Sequence, residues 1–114
     1  MELVANELKM YEKSDQHMQV LTASVRSLSH LLYALKLKSP LITVPFKIFK
    51  EWAEAGWTQP EEGWQYDVGG KKPIPYQKDL TLDKPWYEYN LEHPLTTVGV
   101  EKFSQDWNSL IAYT

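Results

Sequence analysis

At 114 residues, with 43% hydrophobic and 24% charged side chains, the chain has the size and composition of one ordinary globular domain, which excludes wholesale disorder. It contains no cysteine, so disulfides and thiolate metal sites are excluded. The net charge of −3 is unevenly spread: no acid occurs between Asp15 and Glu51, a stretch carrying Arg26, Lys36, Lys38, Lys47 and Lys50. This asymmetry marks either a polyanion-contacting face or a basic face paired with the acidic remainder of the same chain.

No apolar run approaches the ~20 residues a membrane span needs. Early acids at Glu2 and Glu7 and the lack of an unbroken apolar core do not fit a signal peptide. The expected location is therefore cytoplasmic, and the expected domain organisation is one domain over residues 1–114.

In chain order, Val4, Leu8 and Tyr11 carry a weak helical rhythm. Ser14 and Asp15 interrupt it and predict a break or kink; the rival is one long helix lying along a partner subunit. Met18, Leu21, Val25, Leu28, Leu32 and Leu35 then recur at alternating spacings of three and four, which predicts a helix over 15–38 ended by Ser39-Pro40. After an extended connector at 41–44, Thr43 is the expected cap of a second helix over 45–55, with Phe46, Phe49 and Trp52 on its apolar face and Gly56 as its left-handed stop.

Residues 57–96 are rich in proline, glycine and aromatics. Trp64, Tyr66 and Val68 alternate with polar residues, Gly69-Gly70 fits a two-residue hairpin turn, and Ile74 and Tyr76 are the expected return, with Trp86–Leu91 a third short strand. Thr96 or Thr97 is the expected cap of a last helix over 97–112, with Val100, Phe103, Trp107 and Leu110 in step. The predicted fold is mainly α, with α+β as the alternative. Three or more helices pack through Leu21, Val25, Leu28, Leu32, Phe49, Trp52, Phe103 and Trp107 around an irregular middle segment that carries a small antiparallel sheet.

No catalytic motif is present, and no cofactor or metal is expected. Gly69-Gly70-Lys71-Lys72 lacks the spacing and hydroxyl residue of a phosphate loop and reads as a turn with solvated lysines. His17, His30 and His93 are not spaced as a metal set; Glu88, Glu92 and His93 are near in sequence but precede Pro94 in a loop.

Aromatics are unusually dense between Trp52 and Tyr89. Most suit a core, but Trp57, Trp64, Tyr66, Trp86 and Tyr87 are candidate partner-binding platforms. The non-stripe positions Ala23, Ser27, His30 and Ala34 are mostly small and uncharged, which suggests a second helix covering and a self-association face.

The leading expectation is a non-enzymatic protein-interaction module — an adaptor, assembly factor or inhibitor of a larger complex — that is a homo-oligomer with a further protein partner. The alternatives are a nucleic-acid binder using the basic stretch 16–50, and a small enzyme or small-molecule binder around His93 and the aromatic segment. Against the nucleic-acid alternative, the second helix offers Lys47 and Lys50 but no Arg or Asn to read a base edge.

Overall fold

The computed structural model describes residues 1–112 apart from Gln16, Leu80 and Leu82. The chain divides into two compact units, Met1–Gln77 and Lys78–Thr114.

The first unit opens with α1 (Glu2–Tyr11), ended where the sequence places the break: the Ser14 hydroxyl donates to the Tyr11 carbonyl at 2.9 Å. The expected 15–38 helix is not formed as such. Residues 21 and 22 make β1 (Leu21–Thr22), the helix begins only at α2 (Leu28–Lys36), and β2 (Leu41–Ile42) follows. β1 and β2 pair in parallel, Leu21 opposite Leu41 and Thr22 opposite Ile42, and the Thr43 N–H extends the ladder to the Thr22 carbonyl at 2.9 Å.

The physical reason lies in residues 20–25. Val20, Thr22 and Val25 are β-branched and lose side-chain freedom in a helix. Val20 and Thr22 are buried while Leu21 between them is exposed, the period-two pattern of a strand. Ser24 then adopts φ +57°, outside the helical region, and breaks any helix that would run through it.

The core of this unit is Val25, Leu31 and Ile48, with Leu28, Leu35, Ile42, Val44 and Trp52 packed against it. Ile48 comes from α3 (Phe46–Glu54). Thr43 is engaged in the ladder rather than capping α3; Pro45 stands at that position.

Both α2 and α3 end in the same way. The Ser39 N–H reaches the Ala34 carbonyl and the Lys38 N–H that of Leu35; likewise Trp57 N–H bonds to Trp52 and Gly56 N–H to Ala53. This is the Schellman pattern, which requires a left-handed residue just past the helix. Gly56 supplies it at φ +71°, as its sequence position suggests, but after α2 the role falls to Lys38 at φ +53°.

The expected antiparallel sheet is absent among the described residues, where the sheet is the parallel pair alone. The Gly69-Gly70 turn does form, with both residues at positive φ and Lys71 N–H on the Val68 carbonyl. Its arms do not pair with each other; each is held against a helix instead. The Ile74 N–H donates to Glu2 Oε2 at 2.7 Å and Asn6 Nδ2 to the Ile74 carbonyl at 3.0 Å, while the Tyr66 ring stacks on Tyr33 of α2 at 4.7 Å.

In the second unit the expected strand at Trp86–Leu91 is instead a single 3-10 turn, Trp86–Glu88. The last helix, α4 (Pro94–Ile111), starts three residues earlier than its threonines suggest, with Pro94 in its first turn and His93 Nδ1 accepting from the Leu95 N–H at 3.2 Å. Phe103 and Trp107 are not core residues: they are 73% and 64% exposed. Leu21 and Phe49 are likewise exposed, and Leu28, Leu32 and Trp52 are half-buried, leaving Val25 as the fully buried member of the expected packing set. No helix among the described residues is long and apolar enough to cross a membrane.

Candidate functional site

Parallel strands joined through a helix deliver their outgoing loops to one edge, and in open α/β folds that carboxyl edge is where ligands bind. Here the edge is built by residues 23–27, between β1 and α2, and residues 43–45, between β2 and α3. Neighbouring strands lie about 4.8 Å apart, so the two loops leave side by side.

The ladder beneath is tied by side chains. Thr22 is fully buried, and its Oγ1 lies 2.7 Å from Ser39 Oγ, which also donates to the Leu41 carbonyl at 3.0 Å. Val25, 1% exposed, anchors the first loop into the core and leaves Ala23, Ser24 and Arg26 facing solvent on either side of it.

Ser24 holds a left-handed backbone without being glycine, a strain of the kind that clusters at ligand-binding loops. Ser27 then caps α2, its Oγ accepting from the His30 N–H at 3.3 Å. His30 Nδ1 accepts from the Arg26 N–H at 3.3 Å and the ring also hydrogen-bonds to the Ser24 backbone, which together tie the loop to α2.

The electrostatics of this edge are one-sided. The amino ends of α2 and α3 carry partial positive charge, and the Arg26 guanidinium is exposed beside the first of them. Burial first, and then the positive charges of the amino terminus, Lys71 and Arg26, hold the His30 imidazole below its ordinary range. Hydroxyls of Ser24 and Thr43 add neutral donors. The chemistry available is the binding of an oxyanion or a polarised carbonyl.

The four residues of the expected self-association face take different positions. Ala34 is fully buried in the core, Ser27 caps α2, His30 is half-buried with its ring 5.8 Å from that of Tyr66, and Ala23 lies in the loop outside the helix. Among the aromatics, Trp64 and Tyr66 lie over α2, both against Tyr33, whereas Trp57 joins an edge-to-face cluster with Phe49 and Trp52. Trp86 and Tyr87 are exposed in the second unit.

The basic residues also separate. Lys36 donates to the Trp64 and Glu62 carbonyls, Lys50 pairs with Glu54 at 3.6 Å, Lys38 closes α2, and Lys47 is exposed on α3. Arg26 alone of the five belongs to the strand edge. Sequence reasoning missed Ser24 and Thr43 as site residues; the signal was the alternating Val-Leu-Thr at 20–22, masked by the stronger three–four spacing of leucines.

The fold and the site define a strand–helix–strand–helix unit with a donor-rich loop at the carboxyl edge of its parallel pair. No family model matches the chain, and no solved structure matches it significantly. Over 110 residues, 96% of its length, it is 26% identical to a probable transaldolase of Anaeromyxobacter sp. (strain Fw109-5), covering 34% of that protein. Over 108 residues, 95% of its length, it is 25% identical to a probable transaldolase of Bdellovibrio bacteriovorus, covering 33%. The chain thus spans about a third of the length of the curated relatives it matches.

Proposed function

We propose that this chain serves as a strand–helix–strand–helix segment of a transaldolase-type enzyme, with residues 23–27 and Thr43 contributing to substrate binding. The observation that carries this reading is the likeness to two probable transaldolases over almost the whole chain. The parallel β1–β2 pair supports it. Parallel sheets are characteristically covered on both faces and belong to larger α/β folds, so in the working enzyme further strands flank this two-residue ladder. Within that enzyme Arg26 neutralises an anionic substrate group, and Ser24 and Thr43 donate to its oxygens.

The test is a chimera in which the matched third of the Anaeromyxobacter protein is replaced by this chain. Transaldolase activity retained beside the parent's supports the reading. A folded chimera without activity, beside an active parent, sinks it.

A second reading, the non-enzymatic interaction module, is favoured by a different observation. In the second unit, Leu95, Val98, Val100, Phe103, Trp107 and Leu110 of α4 are all exposed, an apolar load larger than an isolated surface helix usually carries. In that reading α4 recruits a protein partner. Truncation of the chain after Gln77 then abolishes co-purification of the partner while leaving α2 and α3 folded, whereas the enzyme reading places the essential contacts in the first unit.

A further inference from the structure

The Gly69-Gly70-Lys71-Lys72 turn does not project into solvent alone. Lys71 and Lys72 line a cavity of about 160 Å3 in the first unit together with Met1, Glu2, His30, Tyr66, Val68 and Ile74. We propose that this cavity is a binding site for a phosphate-type oxyanion, held by Lys71 and Lys72 against the His30 and Tyr66 side chains. The inference does not depend on the enzyme reading above, because the cavity lies under residues 64–76 and its lining does not include Ser24, Arg26 or Thr43.

Its walls are fixed. Ile74 is clamped to α1 through Glu2 and Asn6, Lys9 lies 4.8 Å above the Tyr76 ring, and Tyr66 is stacked on Tyr33. The lysine-bearing turn is closed by Asp67 Oδ1 accepting from the Gly69 N–H at 2.8 Å, with both glycines at positive φ. The two lysines therefore stand on a tight, anchored turn rather than a free loop.

The charged groups facing the cavity favour an anion. Lys71, Lys72 and Met1, whose amino terminus acts on His30, line it, and Arg26 acts on His30 from outside the lining. Against these stands the carboxylate of Glu2, which is engaged by the Ile74 N–H. The Tyr66 hydroxyl offers a neutral donor, and the His30 ring beside it is held in place by the Arg26 N–H and the Ser24 backbone. Ammonium and phenol donors together suit an oxyanion, which accepts from both. A bound anion also supplies the negative charge that His30 lacks.

The test is an NMR titration of the His30 imidazole in the intact chain. Inorganic phosphate forms one arm, glycerol phosphate the second, and chloride at matched ionic strength the control. Saturable His30 shifts with either phosphate but not with chloride, and an imidazole pKa raised by the ligand, are expected. Tighter binding of glycerol phosphate identifies a monoester as the ligand, and equal binding identifies the free oxyanion. Lys71→Gln with Lys72→Gln should weaken binding about tenfold or more, while Lys50→Gln leaves it unchanged. The proposal is overturned if no saturation occurs by about 10 mM phosphate, if chloride shifts His30 equally, or if a folded Lys71/Lys72 variant binds as well as the parent. The dispersion of the Tyr33 and Tyr66 ring signals reports that the variant retains its fold.

Discussion

Thr22 Oγ1 and Ser39 Oγ meet at 2.7 Å, joining the strand that enters the candidate site to the residue that leaves α2. This bond satisfies a hydroxyl that has no access to water, since Thr22 is fully buried. Thr22→Val keeps the β-branched shape and removes the oxygen. It should cost about 1 kcal/mol, the net worth of one such hydrogen bond, read as a lowered urea midpoint at unchanged m-value.

Leu31 is 2% exposed and Phe103 is 73% exposed, although both sit on apolar three–four spacings. Leu31→Ala should cost about 2–5 kcal/mol through lost burial and a cavity. Phe103→Ala should stay within about 0.5 kcal/mol. Comparable losses at the two positions, measured by urea unfolding, would contradict the exposed placement of Phe103.

Lys38 occupies the left-handed position that closes α2, at φ +53°. Its side chain makes no hydrogen bond or ion pair among the described residues, and a non-glycine residue in this region carries a penalty of about 1–2 kcal/mol. Lys38→Gly is expected to raise the melting temperature. A fall would show that the lysine makes a contact worth more than the strain.

His30 gives the first unit a defined pH dependence. Burial, reinforced by the neighbouring positive charges, depresses its folded pKa below the ordinary value of 6.5. As pH falls, the unfolded chain takes up this proton before the folded chain does. The His30 contribution is therefore fully present above 6.5 and is lost as pH drops from there towards the folded pKa. His30→Asn preserves an acceptor for the Arg26 N–H but cannot titrate. Its urea midpoint should vary less than the parent's across this interval, and an identical slope would rule His30 out as the source.

How much of this was legible in the sequence differs from element to element. The break after α1, the extent of α3 and the left-handed Gly56 follow from local chemistry: Ser14-Asp15, the Pro45 entry and glycine's freedom at positive φ. The segment 18–27 imitates a helix in sequence because Met18, Leu21 and Val25 keep helical spacing with Leu28. Only pairing with β2, a contact across about twenty residues, reveals Val20, Thr22 and Val25 as the buried set. The arms around Gly69-Gly70 were read as partners of each other, but side chains of α1 and α2 compete for them, and that competition is invisible locally. The candidate site was the least legible part. Arg26 stood out as one cation among five, and nothing in residue type announces that Ser24 and Thr43 lie at one edge.

Substrate binding at the carboxyl edge of β1 and β2, as proposed above, makes activity depend on Arg26. The most direct measurement compares kcat/KM of the chimera described above with that of the same chimera carrying Arg26→Ala. A charge-assisted contact is worth about 1.5–3 kcal/mol, so the expected result is an active chimera whose kcat/KM falls tenfold or more on Arg26→Ala, with circular dichroism and melting temperature unchanged. Equal kcat/KM in the two folded chimeras would contradict the claim.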